Sequence, residues 1–161
     1  MKPIRRLSPI GTYFITALSW ERRPIFRAEP MARLLIDTLY SYRAQSKYLL
    51  HDFVVMPEHM HLLITPALGV TIERVMQFIK GGYSYRVGKE LCSRTEIWQR
   101  SFTDHRIRDE EDFLRHREYI RENPVKRRLA ETPEAYPYCS AFPGFDLDEF
   151  PSAAKAAVSG S

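Results

Sequence analysis

With 161 residues, 44% hydrophobic and 27% charged, the chain has the composition of one globular domain, large enough to bury a core without disulfides or a structural metal. No apolar run approaches the roughly 20 residues of a membrane span, and the basic start Met1-Lys2-Pro3-Ile4-Arg5-Arg6 leads into no secretory h-region, so a cytoplasmic location is expected. The net charge is +4, and residues 1–143 carry 23 basic against 17 acidic side chains, a net of +6, which suits a polyanionic partner without requiring one.

The first expected element is a strand over 12–20, rich in aromatic and β-branched residues after Pro9 and Gly11. Pro24 and Pro30 break the chain. From Met31 to Lys47 the residues Leu34, Leu35, Thr38, Leu39 and Tyr42 recur at helical spacing. A strand over 48–56, the turn Met56-Pro57-Glu58 and a strand from His59 to Thr65 then read as a hairpin. Thr71 is placed to cap a second helix bearing Ile72, Val75, Met76 and Ile79 on one face, with Gly81-Gly82 as an interruption before residues 83–90.

Residues 97–108 alternate enough for a fourth strand. Asp109-Glu110-Glu111-Asp112 suits a helix start, where the macrodipole favours carboxylates, and the helix is expected from about 110 to Asn123, with Pro124 ending or kinking it. The order β-α-β-β-α-β-α points to an α+β sandwich, an antiparallel or mixed sheet carrying helices on one face. Residues 144–161 read as a flexible tail, and Cys92 and Cys139 match no metal or redox spacing.

Chemistry concentrates in two places. His59 and His61 stand at i, i+2 on a strand, so both imidazoles project from one face. Such a pair suits either a divalent metal completed from elsewhere or plain hydrogen bonding on a sheet surface. On the last helix Tyr119 and Asn123 share a face, within a segment 113–128 that holds six Lys or Arg against Glu118 and Glu122. That stripe reads as a solvated basic face or as a site. A tyrosine hydroxyl, with a pKa of about 10, is a poor nucleophile at neutral pH; attack on a phosphodiester needs a divalent metal to neutralise charge and orient the oxygens.

Met56-Pro57-Glu58-His59-Met60-His61-Leu62-Leu63 resembles the Met-Pro-(Asn/Asp)-His-x-His-Leu-Leu motif of single-tyrosine HUH transposases, and the blocks 98–108 and 118–126 are similar to two others of that family. Asparagine at 123, where the insertion-sequence branch usually has glutamine, favours the branch associated with repetitive extragenic palindromes (REP). The likeness spans residues 10–142. It implies a ferredoxin-like antiparallel sheet of four to five strands in a domain over 1–143. It also implies a Mg2+ or Mn2+ ion held by His59, His61 and Asn123, and Tyr119 as the nucleophile joined covalently to a 5′ phosphate. The substrate implied is single-stranded or hairpin DNA, with homodimer and monomer both left open.

Glu58 departs from the motif; beside a metal it reads either as an acceptor for an imidazole N–H or, the preferred reading, as a turn residue. The block 136–141 also departs, lacking the family's Trp and first Ser. Lys80, Tyr83, Arg86, Arg121, Lys126 and Arg127 are candidate DNA contacts by charge and placement, Tyr83 by stacking on an unpaired base. The alternatives are a palindrome-binding protein of the same fold without cleavage, and a zinc hydrolase joining His59 and His61 to His51, His105 or Asp104.

Overall fold

The computed structural model describes residues 11–151. Strand β1 (Tyr13–Leu18) is followed by helix α1 (Glu29–Ala44), the hairpin β2 (Tyr48–Met56) and β3 (His59–Pro66), helix α2 (Ile72–Glu90), a short β4 (Thr103–Arg106) and helix α3 (Glu110–Lys126). The four strands form one antiparallel sheet in the order β2-β3-β1-β4, the expected α+β architecture.

Strand β3 explains the layering. Its residues Met60, Leu62 and Ile64 alternate with His59, His61 and Leu63, and all six are buried, so both faces of the strand need a cover. Met60, Leu62 and Ile64 join Leu35 and Leu39 of α1 and Val75 and Ile79 of α2 in the larger apolar core. Leu63 joins Val54, Met56, Phe113 and Ile120 in a smaller core beneath α3. The helices therefore cover both faces, not one as expected, because a central strand apolar at successive positions cannot leave either side in water.

Two local expectations also shift. Helix α2 runs unbroken through Gly81 and Gly82, and a Cβ at Gly82 would collide with the Tyr42 ring of α1; this glycine is a close-packing position. Thr71 caps the helix as expected, accepting from the Arg74 N–H at 3.1 Å. Helix α3, capped by Asp109 accepting from the Asp112 N–H at 2.8 Å, passes Pro124 and ends at Lys126. Pro124 lacks an N–H to donate and its ring crowds the carbonyl four residues back, yet the N–H groups of Arg127, Arg128 and Leu129 close the turn on the carbonyls of Asn123, Val125 and Pro124.

The segment expected as a tail from 144 is held down as far as Phe150. Asp148 receives both arms of Arg43 at 2.9 Å and the Leu50 N–H at 2.8 Å, Phe145 packs edge-on against Phe53, and Phe150 stacks on Phe113 at 4.4 Å. Residues 152–161 lie outside the described residues. Among the described residues no helix is long and apolar enough to cross a membrane.

Candidate functional site

The α3 face of the sheet carries the site. In β3 the two-residue period aims His59 and His61 at this face, and their rings lie 4.6 Å apart, edge to face. Antiparallel pairing sets Thr16 of β1 opposite His61 and Phe14 opposite Leu63. The Thr16 hydroxyl engages His61 Nδ1 at 2.9 Å, leaving Nε2 as the other ring nitrogen. Phe14 stacks on His61 at 5.1 Å and meets Tyr119 edge-on at 5.9 Å.

Helix α3 brings Tyr119 over the pair. Its flanks are defined chemically: Phe113, Ile120 and Pro124 face the core, while Arg117 and Arg121 lie on one side. Asp52, fully buried on β2, accepts from Arg117 Nε at 2.7 Å, Arg121 Nη2 at 3.1 Å and the Ser140 hydroxyl at 2.7 Å. A β-bulge between Leu50 and Asp52 turns both His51 and Asp52 toward α3. With 117 and 121 pinned to β2, helical periodicity puts 116, 119 and 123 on the opposite flank. The Tyr119 ring meets His61 edge-on at 5.3 Å, and the residue is 48% exposed whereas His61 is buried. Asn123, one turn farther on that flank, is buried.

Burial pushes both histidines below their ordinary range, His61 to about 3 with His59 adding to the effect. At His59 burial is opposed by Glu58 and reinforced by Arg127 and Arg22. Both imidazoles are therefore neutral at pH 7, the form that offers a lone pair to a metal. Glu58 is more than the expected turn residue. Its Oε1 accepts from His59 Nδ1 at 3.0 Å and Arg127 Nη1 at 2.7 Å, and its Oε2 from Arg127 Nη2 at 3.2 Å. Burial raises its pKa, but these donors outweigh that and hold the carboxyl below the usual range.

The candidate DNA contacts divide. Tyr83 is fully buried, donates its hydroxyl to the Met31 carbonyl at 2.8 Å and packs on Phe26 and Trp98; it is a core residue and has no ring face for a base. Lys80 is turned to the carbonyl of Gln99 at 2.7 Å. Arg86 pairs with Asp37 and Glu90, both at 2.7 Å, on the α1/α2 side of the sheet. Arg121 is committed to Asp52 and Arg127 to Glu58. Of the six, Lys126 is exposed at the end of α3 and, among the described residues, pairs with no carboxylate.

The ligands of the zinc-hydrolase alternative do not assemble. His51 spends Nδ1 on the Asp148 carbonyl and Nε2 on the Thr65 hydroxyl, each at 2.7 Å. Asp104 pairs with Ile15 and so lies on the α1/α2 face. His105 belongs to a second cluster with Asp112 and His116, whose ligand atoms lie within 4.8 Å of one another. There the Asp112 carboxylate already takes His105 Nε2 at 2.8 Å, the Arg108 N–H at 3.0 Å and Arg115 Nη2 at 3.3 Å. The Arg115 guanidinium at 3.3 Å and that of Arg108 at 3.6 Å, at a carboxylate whose lone pairs are occupied, disfavour a cation, so this cluster reads as a hydrogen-bonded brace for the start of α3.

Sequence reasoning missed Asp52, Phe14 and Thr16. A signal existed for Asp52: a carboxylate inside the apolar strand Tyr48–Met56 requires a buried partner, and Arg117 and Arg121 at i, i+4 offer one.

A family model described as "Transposase IS200 like" matches residues 11–123. Proteins bearing the REP-associated tyrosine transposase name in Haemophilus influenzae and Escherichia coli K12 are each 27% identical. The first match covers 81% of this chain and 79% of the relative; the second covers 80% and 74%. A solved REP-associated tyrosine transposase bound to a REP hairpin shares the fold, with a TM-score of 0.68 and 24% identity over 88% of this chain and 90% of that one.

Proposed function

Since the chain belongs to the IS200-like transposase family, we propose that it cuts and rejoins single-stranded DNA at hairpin-forming palindromes through a covalent tyrosine intermediate. The observation that carries this reading is the half-exposed Tyr119 ring set edge-on against the buried His61, which supports Tyr119 as the nucleophile and the histidine pair as metal ligands. The names and the bound hairpin of the relatives support REP-like hairpins as the substrate class.

In this reading Tyr119 supplies the phenolic oxygen. One bond forms from that oxygen to phosphorus and one P–O bond to the 3′ oxygen breaks; the phenolic proton passes through solvent to the leaving 3′ hydroxyl. The 5′ phosphotyrosine keeps the ester bond energy, so rejoining needs no nucleotide cofactor. His59, His61 and Asn123 are the residues that would hold a divalent ion. Two neutral imidazoles and one amide oxygen fit Mg2+ or Mn2+, with positions left for phosphate and water. Bound there, the ion would neutralise charge on the scissile phosphate. Phe14 and Thr16 hold the His61 ring from below, and the Asp52 clamp sets the face that α3 presents. The packing of segment 144–150 against Leu50 and Phe113 supports a domain that reaches from Gly11 to Phe150.

Incubation of the protein with a labelled single-stranded hairpin and Mg2+ or Mn2+ tests the reading. The wild type should yield an adduct that survives denaturation, and Tyr119→Phe should yield none while still shifting the hairpin's mobility. Cutting without an adduct, or an adduct formed by Tyr119→Phe, would overturn the assignment of the nucleophile.

A further inference from the structure

The turn that delivers His59 is fixed to an unusual degree. The Glu58 carbonyl accepts from the backbone N–H of Ser19 at 2.9 Å, the Ser19 hydroxyl shares its single proton between the carbonyls of Arg23 at 2.7 Å and Glu58 at 3.0 Å, and the Pro57 carbonyl accepts from the Phe26 N–H at 3.0 Å. Between those anchors Glu21 and Arg22 both take positive φ, 52° and 53°, a conformation that costs a side-chain-bearing residue about 1 kcal/mol or more. Strain of that kind persists only where the surroundings demand it.

On this fixed turn the Glu58 side chain, 16% exposed, reaches in two directions. One is His59 Nδ1. The other is Arg127, whose own backbone N–H closes on the Asn123 carbonyl at 3.1 Å. Glu58 thus links the strand that carries His59 to the helical turn that carries Asn123. An Nδ1–H donated to a carboxylate leaves Nε2 as the ring's free lone pair, the arrangement that metal-binding histidines use.

We propose that Glu58 is a positioning residue with two tasks: it holds His59 in the Nδ1–H tautomer, and through Arg127 it locks the C-terminal turn of α3 to the β2–β3 turn. The proposal rests on the assignment of His59 and Asn123 as metal ligands. The two tasks are chemically separable. Accepting from imidazole needs only a carbonyl or carboxylate oxygen, whereas clamping the guanidinium needs the charge.

The test uses the full-length protein, with 15N NMR of histidine side chains without metal, Mn2+ titration followed by EPR, and thermal unfolding. Wild type should show His59 as the Nδ1–H form. Glu58→Gln keeps an acceptor oxygen, so the tautomer should stay, Tm should fall and Mn2+ affinity should weaken by less than about fivefold. Glu58→Ala removes both tasks; the Nε2–H form should appear, with affinity lower by about 10- to 100-fold, the usual range for losing such a partner. The exchanged pair Glu58→Arg with Arg127→Glu restores the clamp without the acceptor, so Tm should recover and Mn2+ affinity should not.

A folded Glu58→Ala variant that keeps both the tautomer and the affinity within twofold would overturn the proposal. So would recovery of Mn2+ affinity in the exchanged pair. If His59→Ala binds Mn2+ as wild type does, the metal-site reading itself falls and takes this proposal with it, whereas loss of binding there with an unaffected Glu58→Ala removes the proposal alone.

Discussion

The two faces of the sheet are built by different rules. Under α1 and α2 the contacts are almost wholly apolar: Leu35, Leu39, Phe53, Leu62, Ile64, Val75 and Ile79 are fully buried in one cluster. Under α3 the apolar patch is smaller, and much of the helix is held by charge, through Asp52 with Arg117 and Arg121, Asp112 with His105 and Arg115, and Glu58 with Arg127. Apolar burial is strong and non-directional; ion pairs and hydrogen bonds fix orientation at little net gain. The first face supplies stability and the second supplies aim.

Truncating one core residue on each side tests that division most severely. Leu35→Ala and Ile120→Ala each empty a fully buried site and should each cost about 3 kcal/mol in urea unfolding. Their effects on adduct formation should differ. Leu35→Ala, measured where it is still folded, should cleave at close to the wild-type rate. Ile120→Ala lets the helix that carries Tyr119 resettle and should slow cleavage by about tenfold or more, because displacements of about 1 Å at a reacting group cost that much. Equal losses of rate in both variants would erase the distinction between the faces.

Asp52→Ala probes the ionic half. Removing the carboxylate strands two guanidinium groups and the Ser140 hydroxyl. Loss of one partner of a buried pair costs about 3–5 kcal/mol, but Arg117 and Arg121 are about a third exposed and can turn to water, so about 2 kcal/mol is the expected loss. Cleavage should fall further than stability alone explains, since the flank opposite Tyr119 is no longer pinned. Chemical denaturation and single-turnover cleavage, run on the same preparation, separate the two effects.

What the sequence made legible follows the same line. The element order, the hairpin, the Thr71 cap and the shared face of Tyr119 and Asn123 all follow from short-range periodicity, and the structure has each of them. Apart from Pro124, where the turn closes on nearby carbonyls, the failures involve partners distant in the chain. Gly82 reads as a helix breaker until Tyr42 is seen against it. Tyr83 and Arg86 look like basic-surface residues until α2 is placed on the side away from His61, with the Met31 carbonyl and Asp37 waiting for them. Glu58 looks like a turn residue because its second partner, Arg127, is 69 residues away. Residue chemistry is local information, whereas the face a helix presents is set by the packing of both sheet surfaces.

The smallest effect sharpens the comparison at the surface. If DNA approaches over α3, an exposed cation on that side should contribute counterion release, and one on the α1/α2 side should not. Lys126 lies exposed at the end of α3, so Lys126→Ala should weaken hairpin binding only a few-fold while lowering the slope of log K against log salt by about one unit. Arg86→Ala removes equal charge from the far side, where Asp37 and Glu90 already neutralise it, and should leave both quantities unchanged. Net charge alone would make the two substitutions equivalent. A salt titration of hairpin binding that finds them equivalent would mean that the strand is not confined to the face carrying Tyr119.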